Sequence, residues 1–117
     1  MTATATHPEV LNVLTRPSGL ALRLRVPASL SWFRGHFPQC PILPGVVQLA
    51  WAVSYGVEHF GFEPVVERVV DLKFLRVIRP GAELELELDW SDAERSLGFR
   101  FSERESTCSS GRVVLAR

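Results

Sequence analysis

Residues 33–49 read Phe33-Arg34-Gly35-His36-Phe37-Pro38-Gln39-Cys40-Pro41-Ile42-Leu43-Pro44-Gly45-Val46-Val47-Gln48-Leu49. Pro38, Pro41 and Pro44 deny the first part of this stretch both a helix interior and a central strand position, yet with Trp32 it is rich in apolar and aromatic groups. An irregular segment of that kind implies chain packed against a core or shaping a pocket. From Gly45 to about His59 no proline appears. Wound at about 100° per residue, Gln48, Tyr55, Glu58 and His59 fall on one arc, and Val46, Leu49, Ala50, Val53 and Val57 fill the opposite side. The spacing predicts a mostly buried helix with a narrow polar stripe and the second arc turned to the core. Pro44 suits its first turn, and Gly61 suits an end that asks for a left-handed residue.

Around this one helix the chain reads as strands. Leu20, Leu22, Leu24 and Val26 alternate with Ala21, Arg23 and Arg25 until Pro27 ends the run. Val65 to Val77 is β-rich, Pro80-Gly81 supplies a turn, and Leu84, Leu86, Leu88 and Trp90 alternate strictly with Glu83, Glu85, Glu87 and Asp89. Leu97, Phe99 and Phe101 continue the pattern, a polar turn is expected from Glu103 to Gly111, and Arg112 to Ala116 reads as a short last strand. The order gives an α+β domain, one antiparallel sheet curling around one buried helix. Such a sheet is short of cover at its edges, so a symmetric dimer is expected.

The chain has 117 residues, 46% of them hydrophobic and 22% charged, the size and make-up of one folded domain over 1–117 with a frayed start at residues 1–8. Thirteen basic and thirteen acidic side chains cancel, so the positive field of a nucleic-acid binder is missing. No apolar run reaches the roughly 18 to 20 residues that span a bilayer, and the start MTATATHPEV lacks the pattern of a signal peptide. The expectation is a cytoplasmic protein without nucleic-acid or membrane partners. Cys40 and Cys108 are too few for a disulfide framework and lack zinc-site spacing, so no metal is expected. Cys40 in the loop reads most simply as a small hydrophobe, ahead of a reactive thiol.

The chemistry sits in the opening stretch. A histidine in a rigid apolar loop is held neutral and can act as a base near pH 7, which singles out His36. The Gly45 amide lies at a helix N-terminus, where free N–H groups and the helix dipole favour a carbonyl oxygen gaining negative charge. A base beside an oxyanion site is what removing a proton α to a carbonyl requires. The plainer reading, a packed loop histidine beside a proline-braced turn, stands next to it, because one histidine is a weak signal.

His36-Phe37-Pro38, Pro41 and Pro44-Gly45, preceded by Phe33-Arg34-Gly35, resemble the signature of the hotdog-fold 3-hydroxyacyl-(acyl-carrier-protein) dehydratases. Asp71-Leu72-Lys73-Phe74-Leu75-Arg76 and Arg79-Pro80-Gly81 look like that family's third and fourth strands, and Ile42 to Leu49 with Trp51 is most similar to its small aryl-polyene-type members. The resemblance implies a hotdog dimer with an acyl-phosphopantetheine tunnel at its interface. It implies His36 as base, the Gly45 amide on the thioester carbonyl, Phe37, Pro38, Pro44, Val46 and Ala50 along the substrate, and no cofactor beyond the phosphopantetheine that carries it. Arg34, Arg76 and Arg79 become candidate contacts for its phosphate or for an acidic acyl carrier protein.

One departure matters. The family places an acidic residue fourteen positions after the histidine, where this chain has Ala50. General acid help is commonly worth roughly 10²- to 10⁴-fold in rate. Gln48, rotated about 200° from Ala50 on the helix, is a poor substitute, while Glu58 and His59 lie two turns further on. Asp71 or a group on a partner chain is a further candidate acid. Two alternatives therefore stand beside the dehydratase: a silent hotdog subunit that binds acyl chains or pairs with an active paralogue in a heterodimer, and a hotdog thioesterase. The last lacks an acidic residue on the helix placed to activate water.

Overall fold

The computed structural model describes residues 7–17, 19–28 and 42–117. Its elements in chain order are β1 (Glu9–Arg16), β2 (Gly19–Arg25), α1 (Gly45–Phe60), β3 (Val66–Phe74), β4 (Glu83–Ser91), β5 (Ser96–Glu103) and β6 (Ser106–Leu115). The strands form one antiparallel sheet in the order β1-β2-β4-β5-β6-β3. The helix, the one helix among the described residues, lies on one face, over β4 and β5, and the curled sheet around it is the hotdog fold.

Alternation decides which face the helix covers. Leu84, Leu86 and Leu88 of β4 are buried, and the glutamates between them point to the other side. Register then lines up like with like: Leu22 faces Leu86, and Leu86 faces Phe101. On the outer face Arg25 meets Glu83 at 3.7 Å, Arg100 meets Glu87 at 2.7 Å and Arg112 meets Asp89 at 2.9 Å. These exposed ion pairs contribute at most about 1 kcal/mol each, so the apolar row holds the sheet and the charged one mainly fixes register.

The helix starts after Pro44 and closes at Gly61, whose φ of 76° is left-handed and whose N–H donates to the Val57 carbonyl. His59 in the last turn complements the dipole. The buried face, however, is Val47, Gln48, Trp51, Ala52, Tyr55 and Gly56. This corrects the expected orientation: Val46 and Ala50 are exposed and Leu49, Val53 and Val57 half-buried, while Gln48 and Tyr55 of the polar arc face the sheet. The helix is apolar almost all round, so periodicity alone could not choose its inner side. Close approach did. A Cβ on Gly56 would lie 2.7 Å from a Leu97 methyl and 3.0 Å from the Phe62 ring, so any larger residue would have to push those side chains aside.

One strand is added to the expected set and one expected turn is corrected. β1 arises from a segment with no clean alternation, and its residues remain mostly exposed on a sheet edge. β6 begins at Ser106, so the polar run is itself strand and the turn is only Arg104-Glu105, both with positive φ. Pairing with β5, Ser106 opposite Glu103 and Thr107 opposite Ser102, carries these polar residues into the strand. Phe101→Ala is expected to lower unfolding free energy by about 3–5 kcal/mol, and Arg100→Ala by less than about 1 kcal/mol. Urea denaturation of the two variants checks that the apolar row, not the charged one, carries stability.

Candidate active site

The chain enters α1 through Ile42-Leu43-Pro44, and both neighbours of this turn hold it. Leu43 is buried, and its N–H donates to the Ile78 carbonyl at 2.8 Å. The Pro44 carbonyl accepts the N–H groups of Val47 and Gln48 at 3.1 and 3.2 Å. Gly45 and Val46 have no acceptor for their N–H groups within the helix. Pro44 offers no side-chain cap, and the first turn holds no acidic residue. The positive end of the helix dipole is therefore not neutralised by its own first turn.

A cleft of about 330 Å³ opens at this point, lined by Ile42, Leu43, Gly45, Gln48, Phe74, Leu75, Arg76 and Val77. Its walls are mostly apolar, and among the described residues Arg76 is the one charged residue on them. The far wall is fixed where the Leu75 and Arg76 N–H groups both donate to the Cys108 carbonyl, at 2.8 and 3.1 Å. The Phe74 ring lies directly against Gly45, since a Cβ on Gly45 would sit 2.6 Å from Phe74 Cζ.

Beneath the cleft runs a buried polar chain. Gln48 Nε2 donates to the Leu43 carbonyl at 3.1 Å, and Ser109 Oγ donates to Gln48 Oε1 at 2.7 Å. Gln48 is 3% exposed and Ser109 fully buried, so both bonds form out of water. Ser109 continues the core row of the sheet, opposite Phe101 on β5 and Phe74 on β3. Next to it burial pushes the Cys108 thiol up, as does Glu103, with Arg76 opposing, which leaves this cysteine a poor nucleophile.

Of the residues singled out in the sequence, the structure brings Gly45 and Arg76 to this cleft. Val46 and Ala50 line a different depression of about 530 Å³ on the outer side of α1, with Leu49, Val53, Ser54, Val57, Pro64 and Val66. Pro44 is half-buried at the turn, and Arg79 is exposed and lines neither. His36, Arg34, Phe37 and Pro38, with Cys40, lie outside the described residues. Gln48 and Ser109 were missed: one was set aside on its angle from Ala50, the other lay in a run read as turn. Among the described residues no group of three His, Cys, Asp or Glu side chains gathers as a metal site needs, and no helix is long and apolar enough to cross a membrane.

Fold and cleft together define a hotdog protein with an apolar pocket at the start of its helix. The model of the ApeI-like family, described as ApeI dehydratase, matches residues 14–112, and the chain belongs to that family. The 3-hydroxyacyl-(acyl-carrier-protein) dehydratase FabZ of Chloroflexus aggregans is 35% identical over 80 residues, covering 62% of this chain and 56% of that protein. The chain thus spans about half the length of the curated relatives it matches. A chain of the dehydratase heterocomplex ApeI:P from Xenorhabdus doucetiae superposes with a TM-score of 0.83 at 30% identity, covering 96% of this chain and 100% of that one. An uncharacterized protein from Erwinia carotovora subsp. atroseptica gives 0.78 at 34% identity, covering 95% and 97%.

The contact between Gly45 and Phe74 yields a prediction. Gly45→Ala forces the Phe74 ring aside and lowers stability, whereas in a Phe74→Ala background the same change costs nothing measurable. A double-mutant cycle by thermal unfolding checks this; equal costs in both backgrounds would contradict it.

Proposed function

We propose that this chain dehydrates a 3-hydroxyacyl thioester, carried on the phosphopantetheine of an acyl carrier protein, to the trans-2-enoyl thioester and water. The observation that carries the reading is the apolar cleft with the uncapped start of α1 in its wall. An acyl thioester needs an apolar channel for its chain and a concentrated positive dipole for its carbonyl, and Gly45 joins the two. His36, six residues before Ile42, is the proposed base.

In this reading His36 takes the α-proton, and the C–H electrons move onto the carbonyl oxygen as it accepts the Gly45 N–H. The enolate then re-forms the carbonyl, the C2=C3 bond is made, and the C3–O bond breaks. The hydroxyl leaves as water once it receives a proton equal to the one His36 removed. Ala50 supplies none, so the proton returns from the His36 imidazolium or comes from a partner chain. The thioester itself acidifies the α-carbon, so the proposed chemistry needs no metal or redox cofactor. Arg76, on the cleft wall, is the proposed contact for the phosphate or the acidic carrier; Arg79 is exposed nearby in sequence and remains a second candidate, as does Arg34.

A second reading rests on Ala50. The family's acid position lies in the outer depression, away from the cleft that holds Gly45. That depression reaches Val66 at the start of the edge strand β3, and Val46 and Val66 on its walls are both more than 40% exposed. Such an apolar face fits a second hotdog chain, and one structural relative is a heterocomplex. The chain is then a silent subunit completing a paralogue, or one half of a homodimer. A thioesterase reading gains nothing: the acidic residue of α1, Glu58, is exposed near its C-terminal end.

Turnover of short and medium 3-hydroxyacyl thioesters, followed by enoyl absorbance, separates these readings. Activity is expected and should be lost in His36→Ala; activity that survives this change contradicts the proposed base. Turnover that appears only in Ala50→Asp assigns the silent-subunit role. Sedimentation should report a dimer that Val57→Glu with Val66→Glu converts to monomer, and a monomeric parent chain would remove the interface from the account.

A further inference from the structure

Gln48 contacts the Leu43-Pro44-Gly45 turn twice. Its backbone N–H donates to the Pro44 carbonyl at 3.2 Å and its side-chain Nε2 to the Leu43 carbonyl at 3.1 Å. These carbonyls belong to the two consecutive peptides that precede Gly45. In a trans peptide the N–H points opposite to the C=O, so the direction of the Pro44 carbonyl sets the direction of the Gly45 N–H. With the Pro44 carbonyl held toward Val47 and Gln48, the Gly45 N–H is turned away from the body of the helix. The Leu43 carbonyl fixes the plane before it.

The orientation of the Gln48 amide is also decided. Leu43 O can only accept, so Nε2 must face it, and Oε1 is left for the Ser109 hydroxyl at 2.7 Å. Ser109 is fully buried in β6 between Phe101 and Phe74 on the neighbouring strands, a rigid part of the sheet. A glutamine at this depth in an otherwise apolar helix face is costly unless satisfied. A leucine would fill the space without tying the turn to the sheet. We infer that Gln48, braced by Ser109, is a positioning residue that aims the Gly45 amide at the substrate carbonyl. This rests on the dehydratase reading for its purpose, but its geometric content stands by itself.

The chain has two Pro-Gly steps, Pro44-Gly45 and Pro80-Gly81. Labelling the proline carbonyl with ¹³C and the glycine nitrogen with ¹⁵N therefore gives two amide signals in a carbonyl-filtered spectrum, one at the site and one in an exposed turn as internal reference. Gln48→Leu should shift the Gly45 signal and leave Gly81 in place, and Ser109→Ala should shift it the same way by less. Gln48→Glu adds a rescue: its neutral acid can donate to Leu43 O as the amide does, while its carboxylate meets that oxygen with like charge. The Gly45 signal of this variant should match the parent's at low pH and part from it as pH rises, the parent being recorded at each pH so that any protonation of His36, common to both, cancels.

A Gly45 signal unmoved from the parent's in Ser109→Ala and at every pH in Gln48→Glu overturns the inference, even if Gln48→Leu does not fold. Adding crotonyl-pantetheine separates the two ideas. If the parent's Gly45 signal ignores the thioester, the dehydratase reading fails while the ligand-free spectra still judge Gln48. In the active protein Gln48→Leu should lower kcat by up to about 10²-fold, as a displaced catalytic group does, with KM little changed.

Discussion

The hydrogen bond from Ser109 to Gln48 joins the start of α1 to β6, the strand next to the sheet edge formed by β3. Every other feature of the candidate site depends on where that helix begins. The core row Leu22, Leu86 and Phe101 crosses three strands by apolar contact, and at β6 it changes to a serine. That change gives the helix one angular setting with its polar partner satisfied, where dispersion contacts alone would tolerate several. The same setting puts Gly45 beneath Phe74 and leaves Val46, Leu49 and Val53 facing outward.

Much of the fold was legible because strand signals depend on period two, and few other structures imitate it. Leu84 to Trp90 and Leu20 to Leu24 read as strands at sight, and Pro44 and Gly61 bounded the helix correctly. The helix face was not legible. With apolar groups on nearly every side, the deciding facts were the small size of Ala52 and Gly56 and a polar partner 61 residues away. β1 and the start of β6 were hidden for another reason: an edge strand need not alternate, and a strand of serines resembles a turn until its partner is known.

The site divided along similar lines. Gly45 stood out because a glycine after proline at a helix start has few other uses, and Arg76 followed from resemblance rather than from pattern. Val46 and Ala50, placed along the substrate by the family resemblance, line the outer depression instead of the Gly45 cleft, since adjacent helical positions diverge by about 100°. That separation gives Ala50 its meaning. The position where the family carries its acid lies on the outer, mostly apolar depression of α1 rather than in the cleft that holds Gly45.

The central claim is that the start of α1 polarises a thioester carbonyl in the Gly45 cleft. Infrared difference spectroscopy of a carbonyl-¹³C enoyl thioester bound to the protein tests it directly, because the C=O stretch reports the field on the bond. Polarisation by the start of α1 requires a shift to lower wavenumber on binding, smaller in Gln48→Leu. A bound ligand whose carbonyl absorbs where it does in water would contradict it.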